Sequence, residues 1–166
     1  MLQTYNVVIN SVYCTTDTAG NVNSNKNYYI DWSAIMPKGS YELTFSFVAK
    51  GNFIQNFTNI PIVNIDFLSQ ANVDAVKPNY QATSSQVLGT LYPTNLDPTN
   101  KIGFLKADQS YNPPLYLVNR PHTNNFNVQI VNGANPPVFW VDDAATPVTV
   151  GAYVLILHFK LLKPEN

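Results

Sequence analysis

Apolar side chains occupy every second position from residue 40 to 49, with Tyr41, Leu43, Phe45, Phe47 and Ala49 on one side and Glu42, Thr44 and Ser46 on the other. A period of two predicts a strand with one buried face. At about 3.3 Å per residue this run spans on the order of 33 Å, which places it across the middle of a sheet rather than at a margin. Pro37-Lys38-Gly39 predicts a turn just before it, because proline presets φ and glycine accepts a positive φ. A second run of the same kind, Ala152 to Leu162, lies near the other terminus. The core is therefore expected to close between segments distant in sequence.

Taken in order, Thr4 to Tyr13 reads as strand one, with Tyr5, Val7 and Ile9 alternating against Asn6 and Asn10 while Val8 and Val12 blur the pattern. Residues 14–27 read as a loop, and Tyr28 to Trp32 as a short strand two with Trp32 in the core. Strand three is Ser40 to Ala49, broken by Lys50-Gly51-Asn52, and strand four is Ile62 to Leu68 after Pro61. Residues 69–85 form a connection, since Pro78 and poor periodicity argue against a helix. Strand five is Gln86 to Tyr92. The stretch Pro93 to Pro114 is a long proline-punctuated connection holding a short strand at Ile102 to Leu105. Leu115 to Asn119 is strand six, Asn125 to Val131 strand seven with the turn pair Asn132-Gly133 after it, and Ala152 to Leu162 strand eight.

Eight short strands without a convincing helix or an internal repeat predict one all-β domain over residues 1–166, an eight-stranded antiparallel sandwich. A jelly roll would put strands one, eight, three and six in one sheet and two, seven, four and five in the other. An immunoglobulin-like sandwich is the alternative, but the cysteine pair of its best-known form is absent and seven strands would leave one over.

Composition changes the picture in one respect. Only 11% of the 166 residues are charged, against roughly 25% in ordinary soluble domains, and the formal net charge is −1. Without a basic run the chain lacks the footprint for nucleic acid or an anionic membrane surface. A near-zero charge weakens the repulsion that keeps copies apart, so contact with other protein surfaces is favoured. The single cysteine, Cys14, forms no internal disulfide, which fits a reducing compartment. Neither a signal peptide nor a membrane span is expected, and the acceptor motif Asn56-Phe57-Thr58 is accordingly not expected to carry a glycan.

Candidate chemistry is sparse. His122 and His158 have no metal-ligand spacing, His158 reading as a polar residue on the less buried side of its strand. No nucleophile elbow, phosphate loop or paired-histidine motif occurs, and no enzymatic activity or cofactor is expected. Asp142-Asp143 with Asp97 or Asp108 is a candidate calcium site, although adjacent carboxylates more commonly solvate a loop. Phe139 and Trp140, after Pro136-Pro137, either cap the core or serve as an interface anchor or sugar-stacking platform. In a jelly roll the loops 14–27, 50–61, 93–114 and 132–151 gather at one end, opposite 33–39, 69–85 and 119–124. The first end carries Phe53, Phe57, Tyr111, Phe139 and Trp140, the expected interface residues.

The stretches Tyr28-Tyr29-Ile30-Asp31-Trp32, Pro37 to Phe47 and Tyr153 to Phe159, with Leu117-Val118-Asn119-Arg120-Pro121 and Phe126-Asn127-Val128-Gln129-Ile130 between them, resemble the small single jelly-roll capsid proteins, penton or minor, of large icosahedral DNA viruses. The resemblance covers most of the chain in order and includes no catalytic signature. It implies a protein without enzymatic activity that packs with copies of itself, in a penton as a homopentamer, and with major capsid proteins. It also implies assembly in the host cytoplasm and residence in the virion.

Overall fold

The computed structural model describes residues 3–17, 25–52, 61–68, 87–97, 102–107, 110–131 and 150–165. Two antiparallel sheets pack face to face. One contains β1 (Thr4–Asn10), β11 (Val150–Pro164), β4 (Gly39–Asn52), β8 (Ile102–Ala107) and β7 (Tyr92–Asp97) in that order, with β9 (Leu115–Leu117) also on β4. The other runs β2 (Thr16–Asp17), β3 (Asn25–Tyr29), β10 (Asn125–Val131), β5 (Ile62–Ile65), β6 (Val87–Thr90).

The two long apolar runs pair with each other at the centre of the first sheet, with Phe45 opposite Leu157 and Phe47 opposite Leu155. Their inward side chains, including Leu43, Phe45, Phe47, Leu155, Leu157 and Phe159, bury against Val63, Ile65, Phe126, Val128 and Ile130 of the second sheet. At one point the two sheets meet through a polar contact, the buried Tyr28 and Tyr153 hydroxyls 2.8 Å apart. Burial pushes the Tyr28 phenol up to about 12 and Tyr153 further still, so both stay protonated and can share that bond.

Several boundaries differ from the sequence reading, each for a local reason. Strand one stops at Asn10, whose side-chain oxygen accepts from the Val12 N–H and starts a 3-10 turn over Ser11–Tyr13. Strand two is Asn25–Tyr29 and ends before Trp32, which begins a one-turn helix α1 (Trp32–Ile35) because Asp31 accepts from the Ser33 N–H at its N-cap. Strand four ends at Ile65, and Asp66–Leu68 turns away as a 3-10 turn. Strand six closes at Leu117; the Asn119 side-chain oxygen accepts from the Gly39 and Arg120 N–H groups instead of extending the ladder.

The largest difference concerns strand five. In place of one strand, Val87–Thr90 and Tyr92–Asp97 are two strands that change sheets at Leu91: β6 pairs with β5, whereas β7 pairs with β8. The connection expected over 93–114 therefore supplies most of β7 to the first sheet, besides β8, which contains the short strand expected at Ile102 to Leu105. Asn112, buried, fixes this corner. Its Oδ1 accepts from the Thr90 N–H at 2.8 Å and its Nδ2 donates to the Thr90 carbonyl at 3.0 Å, replacing a missing strand neighbour. Gly89 has to be a glycine here, since a Cβ would collide with Asn112 Oδ1 and the Phe45 ring. Asn112→Ala is expected to cost about 2 kcal/mol in urea melts by leaving both backbone groups of Thr90 unpaired; a loss below about 0.5 kcal/mol would show that the corner holds without it.

Candidate assembly surface

The first sheet turns its outer side to solvent, and the pairing register fixes which residues meet there. Across the middle, Asn10, Val154, Val48, Lys106 and Tyr92 form one row over five strands, a width of roughly 19 Å at the usual strand spacing. The next row is Val8, Ile156 and Ser46, then Asn6, His158 and Thr44, and then Thr4, Lys160, Glu42 and Tyr116. Val8 and Tyr116 are each 63% exposed and Val48 is 42% exposed. Alternation places all of these residues opposite the core positions.

Charge on this surface is low and partly neutralised. Lys160 and Glu42 form an ion pair at 3.4 Å, and the Lys106 ammonium lies 5.8 Å from the centre of the Phe104 ring, a cation–π contact. His158 sits among uncharged partners. Its Nδ1 bonds Asn6 Oδ1 at 2.8 Å and its Nε2 bonds the Ser46 hydroxyl at 3.2 Å. Because an amide oxygen only accepts, Nδ1 carries the ring proton and Nε2 accepts from Ser46.

Partial burial lowers the His158 pKa below its ordinary 6.5. The folded chain then holds this proton less tightly than the unfolded one. The stability from the neutral ring is complete above about 6.5 and is lost as pH falls through the folded value. His158→Gln is expected to flatten that part of a stability-versus-pH curve, and an unchanged slope would remove His158 as its source.

Tyr111 is the one expected interface residue that lies within the described residues. It is 68% exposed, and its ring lies 4.9 Å from that of Tyr92 at 54°. Since Tyr92 opens the marginal strand β7 and the neighbouring Asn112 holds Thr90, this aromatic pair is on the lateral flank of the sandwich. Phe53, Phe57, Phe139 and Trp140 lie outside the described residues, as do Asp108, Asp142 and Asp143 of the candidate calcium site; Asp97 ends β7. Among the described residues no three His, Cys, Asp or Glu side chains gather where a metal would need them, and no helix is long and apolar enough to cross a membrane.

The opposite end of the sandwich is tied down by polar contacts. Arg120 donates to the Met36 carbonyl at 2.8 Å, Asn119 Nδ2 to Glu165 at 3.2 Å, and Trp32 Nε1 to the Thr123 carbonyl at 3.1 Å. A shallow hollow of about 320 Å³ lies here between Gly39, Ser40, Val118, Lys163, Pro164 and Glu165. The outer-sheet surface was not among the sites expected from sequence. Its signal was present at Val8, which blurs the alternation of strand one and is exposed. No family model, curated protein or solved structure matches the chain.

Proposed function

We propose that this chain is a structural subunit of an icosahedral virus shell, a penton or minor capsid protein of jelly-roll topology. It acts by packing against copies of itself and against a major capsid protein, and it performs no chemistry. The strand neighbours support the topology. With β8 and β9 taken as one interrupted strand on β4, the orders β1-β11-β4-β9 and β3-β10-β5-β6 are those a jelly roll requires, with β2 and β7 added at the margins. The observation that carries the functional reading is the broad, weakly charged outer side of the first sheet, where the exposed Val8 and Val48 flank Ile156 and Val154 in adjacent rows. A surface of that kind contributes through burial on association. The sequence resemblance to single jelly-roll capsid proteins supports the same reading, and with it assembly in the host cytoplasm and residence in the virion.

Light scattering of the purified chain, alone and with a major capsid protein, tests this. Closed rings of copies or a stoichiometric complex with the capsid protein are expected. A monomer that joins neither would overturn the proposal. The exposed Tyr111 ring against Tyr92 favours one second reading, a glycan- or receptor-binding module with an aromatic platform. That reading requires Tyr111→Ala to abolish binding on a glycan array.

A further inference from the structure

Among the described residues five strands lie at sheet margins, and they are not equally protected; β9, on β4, is only three residues long. β7 carries Pro93, which has no N–H, and its pairing with β8 is irregular between Thr94 and Asp97. β6 is four residues long, contains Gly89 and is irregular against β5. β2 is two residues long and contains Asp17. Proline, irregular pairing, brevity and charge are the devices that keep sheet margins from joining other strands. β1 has none of them: Thr4-Tyr5-Asn6-Val7-Val8-Ile9-Asn10 is seven residues without charge or proline, in unbroken register with β11.

Half of the backbone of β1 has no strand partner among the described residues. The Leu161 N–H donates to the Gln3 carbonyl, so in this antiparallel ladder the odd residues Tyr5, Val7 and Ile9 point their N–H and C=O groups at β11. The N–H and C=O groups of Thr4, Asn6 and Val8 point away from the sheet. We infer that β1 pairs antiparallel with β1 of a second copy across a two-fold axis at Val7, joining two first sheets into one. An extended strand is what a row of open N–H and C=O groups binds, and the sequence is complementary to itself. Centred at Val7, the pairing sets Tyr5 opposite Ile9 on the inner side and Val7 opposite itself. On the outer side it sets Asn6 opposite Val8 and Thr4 opposite Asn10, and no charge is brought to face another. This contact of the chain with itself does not require the shell reading.

Hydrogen exchange of the full chain at low and high concentration, read residue by residue, tests it. The Asn6 and Val8 amides are expected to slow by about tenfold or more as concentration rises, while Tyr5, Val7 and Ile9 are protected throughout. The double variant Asn6→Lys/Val8→Lys places like charges opposite each other and is expected to be monomeric by light scattering. Asn6→Asp/Val8→Lys places opposite charges there and is expected to dimerise. Both variants change the same exposed positions, so a folding defect would appear in both. If the chain assembles while the Asn6 and Val8 amides stay open, the β1 pairing is wrong and the shell reading survives. If dimers form through β1 and join nothing further, including the capsid protein, the pairing stands and the shell reading fails. If the two double variants have the same mass, the two-fold register is wrong.

Discussion

Phe45→Asp is expected to destabilise the fold by more than about 4 kcal/mol in denaturant melts, whereas Thr44→Asp, one residue away, should cost under about 1 kcal/mol. Phe45 is 3% exposed, stands opposite Leu157 in the centre of the first sheet, and packs its ring over Gly89. Replacing it removes a large apolar side chain and puts an unpaired carboxylate in its place, and both changes are costly. Against a total stability of about 5–15 kcal/mol for a domain, a loss of that size leaves much of the chain unfolded. Thr44 points to the outer side, opposite His158, where a carboxylate keeps contact with water. A one-residue slip of β4 would exchange the two outcomes. Equal effects would mean that β4 is not held in this register at all.

The core was legible because it depends on a period of two. In β4 and β10 every expected inward residue is buried, and Asn125–Val131 has the boundaries its alternation predicts. What periodicity cannot express is a side chain standing in for backbone. Asn10, Asp31, Asn112 and Asn119 each accept from or donate to main-chain groups, and each moves a strand end, starts a turn or holds a corner. In a chain this rich in asparagine, hydrogen bonding decides which of them does so. The sheet change at Leu91 was hidden for a related reason. Leu88 and Leu91 are both buried core residues although they lie in or beside strands of different sheets, so a continuous apolar reading ran straight through the bend.

The candidate surface was less legible than the core because apolar residues on the outside of a sheet look, in sequence, like errors in an alternating pattern. Val8 and Val48 occupy positions where polar residues were expected, and only the pairing of β1 with β11 and of β11 with β4 brings them together with Val154 and Ile156. The expected loop-end anchors followed a different logic, that of large aromatics in proline-rich connections. For Tyr111 the fold supplies a position on the flank, beside Tyr92 of β7, a strand whose remainder falls in the connection expected over 93–114.

Trp32→Ala is expected to cost about 4 kcal/mol, nearly as much as the buried charge at Phe45, although Trp32 belongs to a helical turn of only four residues. The turn has little stability of its own at that length; docking holds it. The indole is 1% exposed, with ring centres 5.3 Å from Phe67, 5.7 Å from Phe126 and 5.7 Å from Phe159, so it touches both sheets at once. Its Nε1 donates to the Thr123 carbonyl at 3.1 Å, tying the turn to the segment before β10. Removing the ring opens a cavity between the sheets, a change that costs about 3–5 kcal/mol for tryptophan, and leaves that carbonyl without its donor. Trp32→Phe keeps much of the packing and loses the hydrogen bond, so a smaller loss of about 1–2 kcal/mol is expected. Urea melts followed by circular dichroism give both values. The chain has two tryptophans, so Trp140→Phe leaves Trp32 as the sole tryptophan, and its emission under excitation selective for tryptophan over tyrosine should be blue-shifted until the same midpoint. A loss below about 1 kcal/mol for Trp32→Ala, or an emission typical of an indole in water, would mean that the turn is not docked and that the two sheets are held together without it.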